Sequence, residues 1–176
     1  MARNWRVERV EDAGWRALRD LRLTALQADP SAFGSSLDRE LAFSEDRWRE
    51  WPQASACFLA WESDGGAEQA IGLAAGADRE DGAEAELVAL WVDPEHRELA
   101  VGKALVSAVL DWARASHRRR LSAWVTPGNA AAIGLYERLG FVATAAVRPL
   151  PSDPQLSELE YQLPLDESGA PVPTAR

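Results

Sequence analysis

The stretch best suited to chemistry is LWVDPEHRELAVGKAL, Leu90 to Leu105. A strand-like run ends at Val92, and Pro94 stops a regular ladder from continuing. A short loop then feeds directly into a helix. The first N–H groups of a helix have no partner inside it and carry partial positive charge. That geometry binds phosphate. The residues of the corner are Arg97, Glu98, Leu99, Ala100, Val101, Gly102, Lys103 and Ala104, with Leu90, Trp91 and Val92 at the strand end. Gly102 has two readings: it lets a ligand approach closely, or it permits contact between helix and sheet.

Other reactive side chains are few. Tyr136 lies in a helical segment; a positioned phenol can protonate a leaving group, and it can equally be a core tyrosine with its hydroxyl satisfied by backbone. Glu86 alternates with the apolar Val88 and Leu90. That pattern suggests partial burial and a raised pKa, against the alternative of an exposed glutamate beside Glu84. His96 is expected at the surface of the loop. His117 heads the run His117-Arg118-Arg119-Arg120, which reads as a solvated helix end where cations suit the dipole. No His/Cys cluster has metal-ligand spacing, and no serine nucleophile elbow is present.

The elements that must position these groups follow from periodicity. Trp5 to Val10 reads as a strand. Asp12 is a candidate N-cap for a helix to about Ala28, with Trp15, Leu18, Leu21 and Ala25 as its apolar stripe. Ser44 opens a short helix holding Trp48 and Trp51. Strands are expected at Cys57 to Glu62, Gln69 to Ala77 and Ala83 to Val92, with turns at Gly65-Gly66 and Asp81-Gly82. A helix from Ala100 to His117, a strand from Leu121 to Val125, and a helix from Asn129 to Leu139 ended by Gly140 come next. Phe141 to Val147 and Leu156 to Leu163 are the last strands. Asn129 is a good N-cap. The order β-α-α-β-β-β-α-β-α-β-β predicts an α/β (α+β) fold, a mixed sheet of about seven strands flanked by helices.

Composition sets the frame. The chain has 176 residues, 47% hydrophobic and 27% charged, which suits one soluble domain. No apolar run is long enough to span a membrane, and the N-terminus has no secretory pattern. Cys57 is the only cysteine, so a reducing compartment is expected, with cytoplasm the default. A net charge of −9 argues against general nucleic-acid binding and mildly favours a cationic substrate. The domain is expected to run from 4 to 165, with the Pro-rich tail 166–176 disordered.

Two motifs resemble one known family. Val92-Asp93-Pro94 followed by Arg97-Glu98-Leu99-Ala100-Val101-Gly102 resembles the acyl-CoA pyrophosphate loop of GNAT acetyltransferases, Gln/Arg-x-x-Gly-x-Gly/Ala. Asn129 to Phe141 resembles the family's Asn-x-x-Ala-x-x-x-Tyr-x-x-x-Gly-Phe helix. The Trp15 to Leu23 run with Asp29-Pro30 and Phe33-Gly34 resembles a bacterial subgroup. Ala100 departs from the first loop glycine, and Glu98 stands where many members have glycine. Ala100 keeps its N–H, so the cradle holds if its backbone stays in an ordinary φ region. Glu98 adds negative charge that Arg97 and Lys103 can offset.

The resemblance implies a single GNAT domain with acetyl-CoA as cofactor. It implies that the pantetheine arm pairs with the backbones of Leu90 and Val92, so the sheet should splay between the fourth and fifth strands. Asn129 and Ala132 would touch the cofactor, Tyr136 would protonate the departing thiolate, and Glu86 or ordered water would be the base. Phe33, Trp48 and Trp51 would form the acceptor wall, with the loop Pro149 to Pro154 opposite, and core packing is the alternative reading for each of the three aromatics. The implied activity is acetyl transfer to a primary amine of a small molecule. Acetylation of a protein N-terminus or lysine is the alternative, and a non-catalytic acyl-CoA sensor is the alternative of another class. Sheet edges or helices could also pair two copies as a homodimer.

Overall fold

Alternating apolar residues in Asn4–Arg9 form β1, which pairs antiparallel with β2, Ala56–Asp64. The molecule is a computed structural model in which residues 4–80 and 82–165 are described. β3 (Ala67–Asp78), β4 (Glu84–Val92), β5 (Arg120–Val125), β6 (Val142–Leu150) and β7 (Asp153–Pro164) complete one sheet. Its order is β1-β2-β3-β4-β5-β7-β6, with the β4–β5 pair parallel and the others antiparallel. The seven-stranded mixed sheet is thus as the sequence predicts. The tail 166–176 and Asp81 of the expected Asp81-Gly82 turn lie outside the described residues.

Helices cover both faces. On one, α4 (Val101–Ala115) buries Val101, Leu105, Val106 and Val109 against β2 to β4. α4 lies so close that a Cβ on Gly76 of β3 would stand 2.4 Å from the Trp112 ring, so this crossing requires glycine. Tyr136 of α5 (Ala130–Arg138) joins the same layer. On the other face α1 (Trp15–Ala28) buries Leu18, Leu21, Ala25 and Leu26 against Leu59, Leu73 and Trp91. α2 (Leu37–Leu41) and α3 (Glu45–Ala54) extend that layer; α2 has no counterpart in the expected order.

Several boundaries differ from expectation. Asp12 does not cap α1; it starts a 3-10 turn, and Gly14 precedes the helix without a side-chain cap. α4 begins at Val101 rather than Ala100, because Ala100 is left-handed and outside the helix. β6 and β7 are longer than expected and form a hairpin turning at Pro151-Ser152.

Candidate active site

The parallel ladder between β4 and β5 runs only from Glu84–Arg120 to Leu87–Ala123. Beyond it the strands diverge, and the cause is local. Leu73 of β3 faces Trp91 and Ala75 faces Val88, so Ala89 and Leu90 together oppose Ala74. This is a β-bulge, and Ala89 takes φ of +57° to make it. The bulge also resets the alternation. Ala85 and Leu87 pack toward α4, whereas Val88, Ala89 and Trp91 all pack toward α1, and Leu90 returns to the α4 side. Leu90 is therefore not on the face of Glu86, contrary to simple alternation.

The divergence opens a cleft of about 280 Å³ through the sheet. Arg22, Phe33, Trp51 and Glu86 line it from the α1 side, and Asn129, Ala132 and Tyr136 from α5. Val88, Ala89 and Leu90 form one wall, and Trp124, Val125 and Thr126 the other. The Phe33 loop is held down by the β6–β7 hairpin: Ser152 Oγ donates to the Phe33 carbonyl at 2.6 Å, and Gly34 packs on Pro151.

Tyr136 is 5% exposed, and no described residue holds its hydroxyl. The alternative of a backbone-satisfied core tyrosine is not met. Burial, reinforced by the Glu158 carboxylate, pushes its pKa well above the ordinary phenol value, so it stays protonated. Burial likewise raises Glu86, while Arg148 and Arg79 pull it partly back. Asn129 Oδ1 accepts from the Ala132 N–H at 3.1 Å, capping α5 as the sequence suggests, and both residues line the cleft.

The corner after β4 continues from this wall. The N–H groups of Val101, Gly102 and Lys103 have no helical acceptor, whereas the Ala104 N–H already donates to the Ala100 carbonyl at 3.0 Å. Ala104 thus offers no amide to a ligand. A Cβ on Gly102 would stand 3.4 Å from Leu135 and 3.6 Å from Val92, ordinary contact distances, so packing does not demand glycine there. Ala100 has φ of +63° and Glu98 φ of +67°. Both departures from the family glycines hold left-handed backbone, and Ala100 is not in the ordinary φ region on which the cradle was expected to rest. Leu99 and Lys103 are exposed, while the Val101 side chain is buried in the core.

Arg97 does not point freely from the loop. Its Nε donates to the Val92 carbonyl at 3.0 Å and its Nη2 to Asp29 Oδ2 at 2.6 Å. Trp91, turned toward α1 by the bulge, donates Nε1 to the same Asp29 oxygen at 2.7 Å. Burial opposes ionisation of Asp29, but the indole and the guanidinium together hold its pKa below the usual carboxylate value.

Two further expectations fail. Trp48 does not line the cleft; it is 4% exposed and packs on Phe43 and Trp51. His96 is not at the surface: it is 5% exposed, with Nε2 2.9 Å from Glu62 and Nδ1 3.3 Å from Asp93. The cleft residues that had not been singled out include Arg22, Trp124, Arg148 and Glu158. Arg22 interrupts the apolar stripe of α1 and pairs with buried Glu40 at 2.8 Å. Glu158 and Glu160, alternating on β7 with both side chains buried, carried a similar signal. Arg148 carried none.

A sheet opened beside a bulged strand, with amides left open at the next helix start and a protonated tyrosine at the gap, can hold a phosphate-bearing ligand and offer it a proton. Residues 15–141 match the acetyltransferase (GNAT) family, and the chain belongs to that family. It is 33% identical over 129 residues to the mycothiol acetyltransferase of Geodermatophilus obscurus, covering 68% of this chain and 41% of that protein. It is 36% identical over 64 residues to the uncharacterized N-acetyltransferase MJ1207 of Methanocaldococcus jannaschii, covering 36% and 28% respectively. The matches thus span less than half the length of these relatives. The yncA protein of Salmonella typhimurium, solved with its cofactor acetyl-CoA, shares the fold at TM-score 0.71 and 23% identity over 98% of this chain and 99% of that one. The ribosomal-protein-S18-alanine N-acetyltransferase of Escherichia coli shares it at TM-score 0.63 and 22% identity, over 92% and 94%.

The chain's own residues fit acetyl-CoA, the cofactor of this family. Open amides lie at the α4 start, Gly102 leaves room beside them, and the β5-facing side of Ala89 to Val92 lies beyond the ladder.

Proposed function

We propose that this protein transfers the acetyl group of acetyl-CoA to a primary amine of a small molecule, with both reactants bound together. The observation that carries this reading is the cleft through the sheet, which puts Tyr136 on one side of the gap and Glu86 on the other. In this reading the amides of Glu98 to Lys103 grip the pyrophosphate. Leu90 and Val92 lie along the pantetheine arm, although the Val92 carbonyl is shared with Arg97. Acetyl-CoA supplies a thioester whose carbonyl carbon an amine can attack. Glu86, directly or through water, takes the proton that the ammonium must lose. The N–C bond forms as the C–S bond breaks, and Tyr136 gives its proton to the departing sulfur. Phe33 and Trp51 wall the acceptor.

The hairpin clamped over the Phe33 loop favours a small acceptor over a polypeptide. One observation speaks for a non-catalytic acyl-CoA sensor: both left-handed loop positions lack glycine. Replacing Tyr136 with Phe separates the readings. Free-thiol release across polyamines, amino acids, aminoglycosides and peptides should fall by about 10²–10⁴-fold, while calorimetry still detects acetyl-CoA binding. Wild-type protein that binds acetyl-CoA and releases thiol with none of these amines would leave the sensor reading.

A further inference from the structure

Glu86 and Arg148, 62 residues apart in sequence, meet on the cleft wall with Nη2 to Oε1 at 3.5 Å. That is the outer limit of a hydrogen bond. Arg148 is fixed by other contacts: its Nε donates to Glu158 at 2.8 Å, and its guanidinium lies over the Trp124 ring at 4.2 Å. Its Nη1 has no partner among the described residues. The Arg148 side chain stays 39% exposed while that of Glu158 is 7% exposed, so the guanidinium edge faces the opening. The cleft therefore presents a carboxylate and a guanidinium side by side, each with unused bonding capacity.

This pair is the charge mirror of an α-amino acid, whose ammonium and carboxylate are held about 3 Å apart by one carbon. We propose that the acceptor is a zwitterionic α-amino acid, its ammonium received by Glu86 and its carboxylate by Arg148. The inference rests on the amine acetyltransferase reading and narrows it. A simple amine would satisfy Glu86 and leave the open edge of Arg148 without an acceptor. An α-carboxylate turns that neighbour into a charge-assisted donor of planar geometry. Two further cleft-lining side chains, Arg22 and Trp124, hold buried N–H donors without acceptors, at Nη1 and Nε1.

The test compares matched acceptors on the whole protein with acetyl-CoA: each common amino acid, its methyl ester, and the corresponding decarboxylated amine. Wild-type kcat/KM for at least one amino acid should exceed that of its ester and amine by about 10–100-fold, the scale of a hydrogen bond to a charged group. Arg148→Gln should erase that ratio, and Arg148→Lys should keep part of it. An ester or amine that matches its amino acid with wild-type protein overturns the inference, as does an Arg148→Gln enzyme that slows all three alike. If Arg148→Gln does not fold, the wild-type ratios decide alone. Turnover of simple amines without turnover of amino acids defeats this inference and spares the transferase reading; no turnover of any amine defeats both.

Discussion

Replacing Ala100 with Gly tests the strain in the loop before α4. Ala100 sits at φ +63°, ψ +6°. A side-chain-bearing residue pays roughly 1–2 kcal/mol there relative to right-handed backbone, and glycine avoids that cost. Glycine also has more freedom to lose from the unfolded chain, about 0.4–1 kcal/mol. The balance is a gain of about 0.5–1 kcal/mol for Ala100→Gly. In a chain of this size each kcal/mol moves Tm by about 2–4 °C, so Tm should rise by roughly 1–4 °C. Ala100→Val puts a β-branched residue at the same φ and should lower Tm. Differential scanning calorimetry of the ligand-free protein reads both. Because the amides keep their directions, Ala100→Gly should bind acetyl-CoA at least as tightly by titration calorimetry. A Tm that falls with Gly, or rises with Val, would refute the claim that this backbone is strained.

Two other outcomes follow from the site's charges. Burial favours the protonated form of Glu86 in the fold, so its stability contribution is full below the ordinary carboxylate pKa and is lost as pH rises through the raised one. Glu86→Gln should therefore raise Tm at neutral pH, with the difference vanishing in acid, and should abolish the acidic limb of the kcat–pH profile. Asp29 has the opposite sign: its lowered pKa makes its contribution full above the unfolded value and lost as pH falls through the depressed one. Asp29→Asn should free Arg97 and raise the KM for acetyl-CoA more than the KM for the acceptor, by about threefold to tenfold, the scale of a weakened charge-assisted pair.

What the sequence revealed was local. Periodicity located the seven strands and the main helices, because each buries a face with its own period. Asn129 declared its capping role, and Glu86 is partly buried as its pattern suggested, although of its two apolar partners only Val88 shares its face. What stayed hidden depends on pairing across the chain. The bulge at Ala89 exists only relative to β3, so Leu90 was assigned the wrong face. His96 is buried by Glu62, 34 residues earlier, and nothing near His96 in sequence signals that. Arg148 reaches the cleft because β6 folds back along β7 beside the opening. Trp48 shares its helix with Trp51, yet only Trp51 is turned to the cleft.

The extra residue in β4 shares the strand between the two layers of the fold. Its lower half owes Ala85 and Leu87 to the α4 layer, and its upper half owes Trp91 to the α1 layer. Deleting Ala89 would remove the bulge yet leave Val88 and Trp91 toward α1 and Leu90 toward α4, with Trp91 still opposite Leu73. Flattening the bulge with every residue kept would instead carry Trp91 to the α4 face and away from Asp29. The layer that Trp91 joins is thus decided by a kink two residues away and not by the indole itself.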